Sequence, residues 1–191
     1  MRKTVFIDRD GVVNRDPGGW TKSNYVTKWE EFFFIDGSIE ALKKLKKAGY
    51  RICLVSNQGG VSKGCFTQGD LDKITKKMLA EIEKGGGKID EVYYCPHHDK
   101  DNCNCRKPKT GLIEQAMEKE DVDFKDAFMI GDSLRDIEPG KELGIKTIFV
   151  LSGRTPLSEA KDWYIQPDYI KKDLLEAAEY ILEAGKDKDG G

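Results

Sequence analysis

Short apolar runs rich in β-branched and aromatic residues alternate along the chain with amphipathic segments rich in lysine and glutamate. The runs at residues 4–8, 51–56, 91–95, 127–131 and 147–151 are mostly continuous, the pattern of strands buried on both faces. The segments between them read as helices. Residues 38–48 place Ile39, Leu42 and Leu45 on one face and stop at Gly49. Residues 67–84 open on Thr67, with Asp70 positioned to complete a cap, and carry a stripe of Leu71, Ile74, Met78 and Ile82. Residues 111–119, 134–143 and 173–184 are the remaining helices, and Pro139 leaves the start of the 134–143 helix undefined.

This order predicts an α/β fold: a single open, mostly parallel sheet with helices on both faces. Residues 1–184 form the expected domain, and residues 185–191 a polar tail expected to be disordered. Neither an internal repeat nor an interdomain linker is visible. Residues 14–31 and 95–110 are long and aperiodic, and long loops in a compact domain are often functional.

Composition narrows the function. The chain of 191 residues carries 32 basic and 34 acidic residues, a net charge of -2. That balance argues against a general binder of nucleic acid or of membrane surfaces. No apolar run reaches the length of a membrane span, and the first one is too short for a signal-peptide core, so the expected location is the cytoplasm, where thiols stay reduced. A monomer acting on a small phosphorylated metabolite is the expectation.

In an open parallel sheet, ligands bind beyond the carboxyl ends of the strands. After the first strand come Asp8, Arg9, Asp10 and Gly11; after the second, Ser56, Asn57, Gln58 and Gly59. The third leads through a Cys/His loop to Arg106 and Lys107, and the fourth to Gly131, Asp132 and Ser133, with Asp136 further on. Each motif alone has an ordinary reading as a turn or a surface residue; together, each after its own strand, they suit phosphoryl transfer. A carboxylate can attack phosphorus and form an acyl phosphate, splitting one displacement into two. Magnesium, which favours a few carboxylates plus water and phosphate oxygens, would screen the repulsion, with Asp8 and Asp132 as ligands. Asp10 can protonate the leaving oxygen and then deprotonate water. Ser56 and Lys107 can stabilise the phosphoryl oxygens.

Three of the five cysteines crowd together as Cys95, Cys103 and Cys105, around His97 and His98. Three thiolates and one imidazole make a closed tetrahedral site typical of structural zinc. Paired one-residue gaps favour His97, with His98 the alternative. Free thiols and a zinc ribbon for nucleic acid are competing readings; Asp99 and Asp101 disfavour the ribbon. Because Cys105 directly precedes Arg106 and Lys107, zinc is expected to fix the loop that carries these cations into the site.

These residues together resemble the haloacid-dehalogenase-like phosphatases. Residues 8–14 resemble their first motif, Ser56 and Asn57 their second, Lys107 their third, and residues 131–136 their fourth. The zinc loop places the resemblance in the histidinol-phosphatase-like branch, which implies a Rossmann-like core with minimal or no cap domain. The resemblance implies Asp8 as nucleophile, Asp10 as general acid/base, and magnesium on Asp8, the Asp10 carbonyl and Asp132. It implies that Arg106 recognises a sugar, that Ser133 stands beside the metal site, and that Asp16, Pro17, Gly18 and Gly19 line the substrate together with Ser56, Asn57, Gln58 and Gly59. The implied reaction is removal of the 7-phosphate of a heptose 1,7-bisphosphate. Histidinol phosphate is the alternative substrate, its amine to be met by Asp16 or Trp20, and a non-catalytic phospholigand-binding domain is the alternative of another class.

Overall fold

The computed structural model describes residues 2–189. Six strands form one sheet: β1 (Arg2–Ile7), β2 (Arg51–Asn57), β3 (Glu91–Cys95), β4 (Val122–Gly131), β5 (Lys146–Val150) and β6 (Tyr169–Lys171). Their order is β3-β2-β1-β4-β5-β6, and every pairing is parallel. The helices are α1 (Ser38–Lys47), α2 (Gln68–Lys84), α3 (Gly111–Met117), α4 (Leu134–Glu142), the short α5 (Leu157–Ala160) and α6 (Leu174–Asp189).

Strand alternation divides the core. Val5 and Ile7 point to the face covered by Leu42 and Leu45 of α1, Ile74 and Met78 of α2, and Ala177 and Ile181 of α6. Phe6, Cys53 and Met129 point to the opposite face, where Leu112, Ile113 and Ala116 of α3 cover them. Both faces are therefore dry, which explains the continuous apolar runs. Local signals set the helix ends. Thr67 and Asp70 exchange the reciprocal bonds of a capping box at the start of α2. At the start of α4, Asp136 Oδ2 accepts from the Ser133 N–H at 3.1 Å and from its hydroxyl at 2.6 Å, so the helix forms through Pro139.

Several elements depart from the sequence pattern: β4 starts at Val122, ahead of the apolar run from 127, and the short α5 was not expected. The strand β6 is only three residues long, too short for a period to register. Helix α6 continues past Gly185 to Asp189, where a disordered tail was expected; residues 190 and 191 lie outside the described residues.

The strand order reverses direction about β1, which lies between β2 and β4. A crevice opens at such a point, beyond the carboxyl ends of the central strands. Only ten residues (58–67) separate β2 from α2, and the β1–α1 connection holds a 3-10 turn at Trp29–Glu31 and bridges through Asn14, so among the described residues no cap domain covers the crevice. Among the described residues, no helix is long and apolar enough to cross a membrane.

Candidate active site

Asp8 follows the last residue of β1, and its backbone N–H still bonds to the Ile130 carbonyl of β4 at 3.0 Å. Its side chain faces Lys107, whose Nζ lies 3.0 Å from Asp8 Oδ1, 2.5 Å from Asp136 Oδ1 and 2.7 Å from the Val55 carbonyl. Lys107 is only 3 % exposed. Burial alone would favour the neutral amine, but Asp136 and Asp8 outweigh it and push the ammonium up. Lys107 is therefore a fixed cation. Asn57 aligns it by accepting from its backbone N–H at 3.0 Å and donating to its carbonyl at 2.9 Å. The Lys107–Pro108 peptide is cis.

Asp8, Asp132 and Asp136 bring carboxylate oxygens within 4.8 Å of one another. One lysine against three carboxylates leaves an excess of negative charge. Burial first, and then Asp136 and Asp10 against the opposing pull of Lys107, push Asp8 up to about 6. Burial, Asp136 and Asp8 raise Asp132 well above the usual carboxylate range. Asp8 Oδ1 is buried without a hydrogen bond, its contact with Lys107 being an ion pair outside hydrogen-bond geometry. This crowding fits a hard divalent cation. Asp8 and Asp132 are the members free to hold it, because Asp136 spends one oxygen on Lys107 and the other on Ser133. The cradle is tight: a Cβ at Gly11 or Gly153 would run into the Asp132 carboxylate.

Asp10 stands two residues past Asp8 and also faces the crevice. Its carboxylate accepts from Arg9 Nη2 at 2.9 Å, Asn14 Nδ2 at 2.9 Å and Gln58 Nε2 at 2.9 Å. The crevice has a volume of about 330 Å³ and is walled by Asp8, Asp10, Asp16, Pro17, Ser56, Asn57, Arg106, Lys107, Asp132 and Ser133. Four motifs scattered over the sequence thus converge on one cavity.

Comparisons with known proteins point to one family. A family model described as HAD-hydrolase-like matches residues 104–177. The D-glycero-β-D-manno-heptose-1,7-bisphosphate 7-phosphatase of Pasteurella multocida (strain Pm70) is 38% identical over 188 residues, covering 95% of this chain and 97% of the relative. The belonging is decided there. The chain is a member of the heptose-bisphosphate phosphatase family of haloacid-dehalogenase-like hydrolases. The D-glycero-D-manno-heptose-1,7-bisphosphate 7-phosphatase of Chlorobaculum tepidum is 36% identical, with 98% of both chains covered. The structure of the D,D-heptose 1,7-bisphosphate phosphatase of B. bronchiseptica, complexed with magnesium and phosphate, aligns with a TM-score of 0.87 at 31% identity, covering 95% of this chain and 99% of that one.

The structure places several residues differently from the sequence expectation. Gln58, expected to touch substrate, is fully buried behind Asp10 and does not reach the crevice wall. Gly59 lies behind Arg106, where a Cβ would stand 3.0 Å from the guanidinium. Gly18 and Gly19 shape their loop from outside the wall: the Gly18 N–H donates to Asp16 Oδ1 at 2.7 Å, and Gly19 takes a φ of 83°. Trp20 turns away to donate its indole N–H to the Asp16 carbonyl at 2.6 Å, under Arg15 and beside Phe33. It therefore offers no aromatic wall to an amine. Tyr25, Arg135, Arg154 and Thr155 line the crevice without having stood out in the sequence. Arg154 follows β5, and its backbone N–H holds Asp132 Oδ2 at 3.1 Å.

The Cys/His loop gathers Cys95, His97, Cys103 and Cys105, with ligand atoms within 4.8 Å of one another. Sulfur–sulfur distances of 3.6 Å (Cys95–Cys103) and 3.5 Å (Cys105–Cys103) approach the roughly 3.8 Å edge of a tetrahedron with metal–sulfur bonds of about 2.3 Å. His97 Nδ1 completes the set at 3.3 Å from Cys105 Sγ, whereas His98 Nδ1 accepts from the Lys100 N–H and starts a 3-10 turn. Burial and then the neighbouring sulfurs push the Cys105 thiol up to about 12, the mark of thiols crowded without a countercharge. The loop is sewn to the site by bonds from the Gln58 N–H to the Cys95 carbonyl (2.7 Å), the Ser62 N–H to the Pro96 carbonyl (3.2 Å), and Arg106 Nη1 to the His97 carbonyl (3.2 Å).

Proposed function

We propose that this chain is a magnesium-dependent phosphomonoester hydrolase that removes the 7-phosphate of D-glycero-β-D-manno-heptose 1,7-bisphosphate through an aspartyl-phosphate on Asp8. The observation that carries this reading is the meeting of Asp8, Asp10, Ser56, Lys107 and Asp132 in one crevice. Relatives named for that reaction, matching 95% of the chain, supply the substrate.

In the first step the Asp8 carboxylate attacks phosphorus from the end of β1, while Asp10 gives its proton to the departing sugar oxygen. In the second, Asp10 takes a proton from water, which attacks the same phosphorus and frees Asp8. Lys107 and the Ser56 hydroxyl hold the equatorial oxygens on which charge is shared. Magnesium, held by Asp8, Asp132 and the Asp10 carbonyl, would neutralise phosphate charge and let the anionic nucleophile approach it. Zinc on Cys95, His97, Cys103 and Cys105 has a structural role in this reading, keeping Arg106 and Lys107 in register.

The open crevice leaves room for a bisphosphate. We place the second phosphate toward Arg106 and Arg135, which share its outer wall. Of the two partners expected for the amine of histidinol phosphate, Trp20 is engaged with its own loop and Asp16 alone faces the crevice. The test is a panel of heptose 1,7-bisphosphate, heptose 7-phosphate and histidinol phosphate assayed with magnesium. The bisphosphate is expected to give the highest kcat/KM; a preference for histidinol phosphate would overturn the substrate assignment.

A further inference from the structure

Gln58 and Arg9 are both fully buried, and neither lines the crevice, yet both touch groups that do. Arg9 sends Nε and Nη2 to Asp10 Oδ1 at 3.3 and 3.1 Å, and Nη2 also reaches Asp10 Oδ2 at 2.9 Å. The same Nη2 donates to Gln58 Oε1 at 3.1 Å. A guanidinium has no acceptor, so this contact fixes which way the Gln58 amide faces. The amide nitrogen must then point to the other side, where it donates to Asp10 Oδ2 at 2.9 Å and to Ser56 Oγ at 3.2 Å. Arg9 is itself seated over the Tyr94 ring, 5.8 Å from its centroid, and Tyr94 is tied to Thr75 of α2 at 3.0 Å.

We propose that Gln58, oriented by Arg9, is a positioning residue that aims Asp10 at the leaving oxygen and Ser56 at the phosphoryl oxygens at the same time. One amide bridges the proton carrier and the phosphate-binding hydroxyl, so their spacing is set by a single rigid group. Because Ser56 Oγ accepts from Gln58, its own hydrogen is directed away from Gln58, toward Asp8 and the crevice. Asn14, at 2.9 Å from Asp10 Oδ1, holds the far side of the carboxylate. Rotating Asp10 would break bonds to three side chains at once. The assignment rests on the phosphatase reading above.

The test uses Gln58→Leu and Gln58→Glu in the magnesium-loaded full chain, with p-nitrophenyl phosphate and the heptose bisphosphate. Gln58→Glu retains shape and an acceptor for Arg9 but, ionised, has no hydrogens for Asp10 and Ser56; Gln58→Leu removes those hydrogens without adding a charge, so a loss shared by both variants assigns it to donation. Both variants are expected to lose roughly tenfold to a hundredfold in kcat on the sugar phosphate, with KM nearly unchanged, since misaimed proton transfer costs turnover rather than binding. With p-nitrophenyl phosphate they should release a burst of nitrophenolate equal to the enzyme and then turn over slowly. That leaving group needs no proton, but hydrolysis of the aspartyl-phosphate still needs Asp10. A raised KM with kcat retained would make Gln58 a substrate contact and overturn the proposal. So would wild-type kcat in Gln58→Glu, or a lowered melting temperature with kcat intact in either variant. A wild-type protein inactive on both substrates would instead overturn the phosphatase reading, and the proposal with it.

Discussion

Asn57 and Lys107 exchange two hydrogen bonds, the Asn57 side chain receiving the Lys107 N–H at 3.0 Å and donating to its carbonyl at 2.9 Å. This pair joins the last residue of β2 to the end of the Cys/His loop. It therefore sets how far the Lys107 ammonium extends toward Asp8. Asn57→Ala leaves a backbone donor and acceptor with no protein partner, a loss of about 1–3 kcal/mol. Asp136 still grips the ammonium, so part of the loss should appear as misplacement. The expected outcome is a fall in kcat of roughly tenfold with a modest drop in Tm, read by parallel kinetics and thermal melts.

The zinc loop should behave as a support for catalysis rather than as a participant. Cys105→Ser removes one ligand next to Arg106 and Lys107. The expected result is loss of zinc, faster amide exchange across residues 95–107, and a fall in kcat. Metal analysis with hydrogen exchange checks it; a zinc-free protein with full activity would count against the support.

The acid cluster makes a pH-dependent prediction for the metal-free protein. Burial raises Asp8 to about 6 from 3.8, so at a pH between these values the folded chain binds more protons than the unfolded one. Stability from this group is then greatest below pH 3.8 and declines as pH rises through about 6, by on the order of 3 kcal/mol. Asp8→Asn cannot ionise and escapes that cost. Its melting temperature should exceed that of the wild type at neutral pH without magnesium, with the gap closing toward pH 4. Saturating magnesium should stabilise the wild type at neutral pH and much less in acid.

Gly153 packs on Asp132 without room for a methyl group. Gly153→Ala should push that carboxylate out of place and raise the magnesium concentration needed for half-maximal activity by about tenfold or more, about 1.4 kcal/mol or more of lost binding. A magnesium titration of activity measures it, with the melting temperature as a check on folding.

Much of this site was legible because strand ends carry it. Asp8, Ser56 and Asp132 each sit where an apolar run stops, and a parallel sheet places all such stops on one edge. Side-chain direction was less accessible. Gln58 lies beside Ser56 in sequence but turns inward to Asp10, and nothing in the residue order distinguishes that from a turn outward. Spacing favours His97 over His98 without excluding the latter; the bond from the Lys100 N–H to His98 separates them. Asp136 stands in the sequence only as one more carboxylate of the fourth motif, and its place under Lys107 depends on a loop returning from 29 residues away. The strand β6 and the start of β4 were missed for a simpler reason. Tyr169–Lys171 is too short to show a period, and in β4 a mixed, partly exposed stretch (residues 123–126) separates the buried Val122 from the apolar part at Ala127.

The account stands on Asp8 forming a covalent bond to phosphorus. Acid quenching of the wild-type protein during turnover of the heptose bisphosphate, followed by borohydride reduction and peptide mapping, tests this most directly. An acyl phosphate is reduced to the alcohol, so homoserine at position 8 is predicted in the wild type and absent in Asp8→Asn, which should also be inactive. Homoserine at another aspartate, or an Asp8→Asn protein that hydrolyses substrate at the wild-type rate, would contradict the account.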